Sequence, residues 1–198
     1  MTPEHPVALP STRREFRIAL SHVPRGITRD DAVILAQHPS ESEEHVVLRV
    51  LARCFLFEES LTFGPGLSTP DAADLWAHDL TGRLTLWVEC GTADAEELVK
   101  LAQRHAGAQV HAVFGDDRRA GEFAGQLRAF KEPRKGESAL SLWRVDPPLV
   151  RALARSQARR QAWTVTVLDE HLYCEAEGEA LDGPLTRRDC NAYRNGTI

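Results

Sequence analysis

Two acids frame the segment ADLWAHDLTGRLTLWVECG at residues 73–91: Asp74 near its start and Glu89 near its end. Between them Thr81-Gly82 offers a two-residue hairpin turn, a place where glycine is favoured. With that turn, Thr85 lies opposite His78, Trp87 opposite Trp76, and Glu89 opposite Asp74. Directly opposed side chains share a face, with Cβ atoms about 5 Å apart. Two ionised carboxylates so close repel and coexist only with a cation or a shared proton between them. The chemistry this pattern points to is a hard divalent ion held by oxygen ligands. A slip of one residue would separate the two acids and leave them as unrelated carboxylates. Asp79, beside the bend, is read as a turn former.

Upstream of this hairpin the sequence supplies a helix. Ser40 with Glu43 three positions on reads as a capping box, followed by the stripe Val47, Leu48, Leu51 and Phe55. Glu44 falls on that stripe one turn before Leu48, with Glu41 earlier still. A carboxylate leading into a buried face needs a cation, a hydrogen bond or water, unless the first turn is simply solvated. Arg49 lies on the flank of this helix; a salt bridge to an acid of the sheet is its default role and phosphate binding the sharper one. His38 is read as capping or packing. Ser40 is read as a cap, since no G-x-S-x-G elbow surrounds it.

Elsewhere the alternation Phe16, Ile18, Leu20 marks a strand over 14–23, and Thr28 is expected to cap a short helix through Gln37. Residues 61–63 read as a short strand and Gly64-Pro65-Gly66 as a turn. Asp94 with Glu97 opens a second helix ended by Gly107. On that helix Lys100 falls roughly opposite the apolar face of Leu98, Leu101, Ala102 and His105, which favours a solvated lysine. A strand at 109–114, a helix at 116–130, a charged loop at 131–138 and a strand at 139–145 follow. Asp146-Pro147-Pro148 starts a basic helix to about Arg160, with Arg151, Arg155, Arg159 and Arg160. Residues 163–168 and 172–177 read as a hairpin. Trp76 and Trp87 are read as packing partners. The expected organisation is a flexible stretch at 1–12, one domain at 13–180 and a polar tail at 181–198.

Composition limits what the chain can be. In 198 residues, 42% are hydrophobic and 27% charged, ordinary for a globular domain. The formal net charge of -5 gives no global positive field for nucleic acid or anionic lipid, although a local basic surface is open to it. The four cysteines have no close pair of the kind zinc sites use, and buried thiols in a reducing cytoplasm are the expectation. No run approaches the ~20 apolar residues of a membrane span. No glycine-rich phosphate loop is present.

The segments HPSESEEHVVLRVLA, LTFGPGLSTPDAADLWAHDLTGRLTLWVECG and LVKLAQRHA resemble the YaeQ family of bacterial proteins. So do ALSLWRV and the hairpin around Trp163, and the resemblance runs over residues 14–180. That family is similar in fold to the PD-(D/E)XK nucleases. The resemblance implies an α+β chain with a mixed central sheet flanked by helices and a restriction-endonuclease-like αβββαβ core. An extra N-terminal strand and a C-terminal hairpin would complete it. It implies Asp74 and Glu89 as ligands of Mg²⁺ or Mn²⁺ and Glu44 as the first-helix glutamate that positions metal or water. Glu41 and Arg49 also match family positions, and Asp79 lies in the shared segment. Gly91 stands where the motif lysine would be, and Lys100 aligns with a family lysine that would have to replace it. Two functions follow: metal-dependent hydrolysis of nucleic-acid phosphodiesters, or a nuclease-type scaffold that has lost cleavage and acts as a binding or regulatory module.

Overall fold

A computed structural model describes residues 11–65, 72–130 and 139–190. The expected loop at 131–138, Gly66 and the ends of the chain lie outside them. Among the described residues ten strands form one sheet, flanked by four α-helices. The strands are β1 (Thr12–His22), β2 (Ile27–Gln37), β3 (Thr62–Phe63), β4 (Leu75–His78), β5 (Leu84–Cys90), β6 (Gln109–Phe114), β7 (Leu140–Val145), β8 (Arg160–Leu168), β9 (His171–Ala176) and β10 (Glu179–Asp189). The helices are α1 (Glu43–Phe55), α2 (Ala95–Arg104), α3 (Asp117–Ala129) and α4 (Pro147–Leu153). Spatial order is β2-β1-β8-β9-β10-β7-β6-β5-β4-β3. The β1/β8, β5/β6 and β6/β7 pairs are parallel and the other ladders antiparallel. The mixed sheet and the helix–three strands–helix–strand order from α1 to β6 are those expected.

Two layers of core separate the helices. Phe16, Ile18 and Leu20 of β1 meet α1, α4 and the even-numbered residues Leu86, Val88 and Cys90 of β5 on one face. Leu84 and Trp87 of β5 join α2 and α3 on the other. Alternation along β5 gives this division from Leu86 onward, and the register shift beside the hairpin places Leu84 with Trp87. Helix α1 is enclosed so completely that every residue from Val46 to Phe55 is buried, Arg49 and Arg53 included.

Several expectations need correction. Residues 27–37 are not a helix: Gly26, in the left-handed region at φ 62°, closes a turn that brings β2 back along β1. Val33 and Leu35 are buried among exposed neighbours, a strand period that the cap-like Thr28 disguises as a helix start. The cap of α1 is Ser42, whose hydroxyl accepts from the His45 amide, and not Ser40. Glu43 instead ion-pairs with Arg14 at 2.6 Å. Helix α4 ends at Leu153, so the four arginines do not share a helix: Arg160 lies in β8 facing Glu15, and Arg155 faces Glu179. Residues 179–189 are not tail but β10, which pairs with both β9 and β7 and joins the two halves of the sheet. All four cysteines are buried thiols.

Glycine at position 64 is required by close packing. A Cβ there would sit 1.9 Å from the Ala73 carbonyl oxygen, and the Gly64 amide donates to the Asp74 carbonyl. Gly64→Ala must therefore push β3 away from the entry to β4. We expect a loss of about 2–4 kcal/mol in urea unfolding, within the range that backbone clashes produce; an unchanged midpoint would show that the two segments do not touch.

Candidate functional site

The bend at residues 79–83 is one residue longer than expected. The Gly82 amide donates to the Asp79 carbonyl, Gly82 is left-handed at φ 82°, and the Asp79 amide meets the Arg83 carbonyl. Leu80 to Gly82 thus form a three-residue loop. Asp79 is the turn former, its carboxylate accepting from Thr81 and Arg83 in the open. A bulge between Ala77 and His78 then absorbs the extra residue, so Trp76 does pair with Trp87, ring centroids 6.1 Å apart.

The pairing begins only at Leu75, and that decides where Asp74 points. Its amide turns in to the Val88 carbonyl, and its carboxylate reaches the α1 side of the sheet. Asp74 Oδ1 lies 2.9 Å from His45 Nε2, and Oδ2 accepts from the Cys90 amide at 2.8 Å. Arg49 Nε stands 3.4 Å from Oδ1, a charge contact outside hydrogen-bond geometry. The same guanidinium donates to Glu41 Oε1 at 3.0 Å and to the Gly64 carbonyl. Glu41 is 3.7 Å from His45 and also accepts from the His38 amide. Arg49 is fully buried, and Glu41 and Asp74 are 6% exposed. The guanidinium therefore stands between two buried acids, with His45 against both, an arrangement in which each partner depends on the others.

Glu89 is on the other side. It follows Trp87 on the α2 face, and its Oε1 accepts from the Trp87 indole at 2.9 Å. Burial, followed by the charge of Asp74, pushes its carboxyl up to about 8, against the lowering effect of the indole bond. Glu97 adds to the rise. Asp74 is near enough to be felt there, but the two carboxyl groups belong to different faces. The expected shared face is not formed. An irregular entry into a strand flips a side chain as surely as a register slip.

Glu44 is exposed on the first turn of α1, outside both clusters. Lys100 is exposed on α2 and pairs with Glu96 at 3.3 Å, one turn away. Gly91, left-handed at φ 73°, has His45 Nδ1 3.2 Å from where a Cβ would be. His45, the residue sequence reasoning missed, thus fills the space a side chain at 91 would need. Its signal was the four-residue spacing of Glu41, His45 and Arg49, which carries the face of α1 back past its cap to Glu41.

This donor set does not fit one cation held by Asp74 and Glu89. Both oxygens of Asp74 are engaged by α1 and the Cys90 amide, and Glu89 opens to the opposite face. Among the described residues no three His, Cys, Asp or Glu side chains are grouped to hold a metal.

What Glu89 does face is a cleft of about 800 Å³ between β5 and α2, lined by Trp87, Glu89, Asp94, Glu97, Leu98 and Arg104 among others. That is the size of a small-molecule site. No helix among the described residues is long and apolar enough to cross a membrane.

Comparison with known proteins agrees with this architecture. The family model described as YaeQ protein matches residues 7–183. The YaeQ protein of Salmonella typhi is 27% identical over 180 residues, covering 91% of this chain and 97% of its own. The Escherichia coli K12 protein is 26% identical over the same shares. The crystal structure of YaeQ from Xanthomonas axonopodis pv. citri superposes with a TM-score of 0.81 at 24% identity, over 90% of this chain and 98% of that one. That of Pseudomonas syringae YaeQ gives 0.77 at 26%, over 89% and 95%. With a family model spanning nearly the whole sheet and two YaeQ crystal structures sharing its shape, the chain belongs to the YaeQ family.

Proposed function

We propose that this chain is a binding or regulatory protein on a nuclease-type scaffold, and not a Mg²⁺- or Mn²⁺-dependent phosphodiesterase. The observation that carries this reading is the separation of Asp74 from Glu89 by the sheet. Metal-assisted hydrolysis needs a cation that lowers the pKa of bound water and stabilises developing charge. Here Asp74 is committed to Arg49 and His45, and Glu89 to the cleft. Position 91 carries no cationic side chain, and Lys100, at the rim of the cleft, is already paired with Glu96. Such a cation is normally worth orders of magnitude in rate.

Glu89 is instead suited to recognition. Held largely protonated at neutral pH, it presents both a donor and an acceptor at the floor of the cleft. The apolar surfaces of Trp87 and Leu98 beside it supply desolvation. Nucleic acid remains a partner to be tested, reaching the protein through local arginines against its overall negative charge.

Incubating single- and double-stranded DNA and RNA with Mn²⁺ or Mg²⁺ tests this directly. We expect no cleavage by the wild type above that of Glu89→Gln. Metal-dependent cleavage that Glu89→Gln or Asp74→Ala abolishes would restore the nuclease reading.

A further inference from the structure

The α2 wall of the cleft changes character along its length. Asp94 and Glu97 stand at its N-terminal end beside Glu89, Leu98 and Leu101 follow, and Arg104 closes the C-terminal end. Glu97, Leu101 and Arg104 fall three or four residues apart, the spacing of a single helical face. Glu97 and Arg104 are separated by about 10 Å at the helical rise of 1.5 Å per residue. Both are exposed, and neither has an ion-pair partner among the described residues. The neighbouring Lys100 is different: it is already paired with Glu96.

Among the described residues, then, no ion pair ties up the charge of Glu97 at one end or of Arg104 at the other. At the acidic end the carboxylates work against one another: Asp74 and Glu97 both oppose ionisation of Glu89. A positive group entering there would relieve that repulsion. At the other end a guanidinium, with its fork of donors, matches a carboxylate or a phosphate. Between them lies apolar surface suited to a short hydrocarbon or ring.

We propose that the β5–α2 cleft binds a small zwitterion about 10 Å long, with its amine at Glu89 and Glu97, its anionic group at Arg104, and its apolar middle over Trp87 and Leu98. This inference rests on the binding reading above and names the ligand class for the same cleft. Its anion is a carboxylate or a phosphate, two sources of one chemistry.

Calorimetric titration of the full chain separates them. The probes are 6-aminohexanoate and 6-aminohexyl phosphate, with hexylamine and hexanoate as single-charge controls. One of the two zwitterions should bind at least about tenfold more tightly than either control. Arg104→Ala should bring its affinity down to that of hexylamine while leaving hexylamine unchanged. Glu97→Gln should bring it down to that of hexanoate while leaving hexanoate unchanged. Both replaced side chains are exposed, so circular dichroism melts should match the wild type. Binding that ignores these two substitutions, or no zwitterion binding at all, overturns the inference. Metal-dependent cleavage in the assay above would instead overturn the binding reading itself, and the two failures are read from different experiments.

Discussion

Replacing Arg49 by alanine should destabilise the protein by about 3–5 kcal/mol, the loss expected when one partner of a buried ion cluster is removed. Arg49 is fully buried and holds Glu41 at 3.0 Å and Asp74 at 3.4 Å, while its guanidinium also stacks over Phe63 at 5.5 Å. Without it, two buried carboxylates face each other across His45 with no guanidinium between them. For a domain of this length the loss corresponds to a fall in Tm of roughly 10 °C. The comparison that isolates charge from packing is Arg49→Met in a Glu41→Gln, Asp74→Asn background. That triple change removes the guanidinium and both carboxylates together and should recover most of the loss, since buried ion clusters are often no better than apolar replacements. Urea unfolding of the three proteins measures it. An Arg49→Ala protein of wild-type stability would mean that the cluster is hydrated and the two acids are not dependent on it.

The second large effect lies in the pH dependence of stability, and its source is Glu89. The folded protein holds this carboxyl up to about 8, against about 4.5 for the free group. Between those values the folded state keeps a proton that the unfolded chain has released. Stability therefore falls as pH rises from about 4.5 to about 8 and levels off above that window. The full difference is on the order of a few kcal/mol. Glu89→Gln keeps an acceptor for the Trp87 indole and has no proton to lose. It should match the wild type near pH 5 and exceed it by a margin that grows to pH 8. Parallel pH profiles for the two proteins would contradict the protonated carboxyl at the floor of the cleft.

Much of the framework was legible in the sequence because local and tertiary preferences agree there. The β8–β9 hairpin, the Asp146 cap, and helices α2 and α3 follow from alternation, prolines and capping residues that the fold uses as written. Even the Trp76–Trp87 pair was legible, though for a reason the sequence hides: the loop is a residue longer and the bulge takes that residue back. Strand β2 was misread because Thr28 imitates a helix cap, while its pairing with β1 is what makes it extended. Strand β10 was missed because its burial comes from neighbours on both sides, β9 and β7, rather than from a strong apolar pattern of its own.

The candidate site was half legible. Asp74 was identified as a residue with demanding surroundings, and the salt bridge of Arg49 to an acid of the sheet was foreseen. The face on which Asp74 emerges was not, because it depends on a single backbone hydrogen bond, from its amide to the Val88 carbonyl. No periodicity encodes that bond. His45 escaped notice because an imidazole inside a helix has many ordinary roles; only the position of Gly91 against its ring makes its place specific.

The most direct test follows the titration of the Glu89 side-chain carboxyl by ¹³C NMR, with and without millimolar Mg²⁺. If the sheet keeps the acids of residues 74 and 89 apart, the resonance titrates near 8 and magnesium leaves it there. A titration driven down several units by Mg²⁺, and insensitive to Mg²⁺ in Asp74→Asn, would mean that one cation grips both groups, and the separation described above would be wrong.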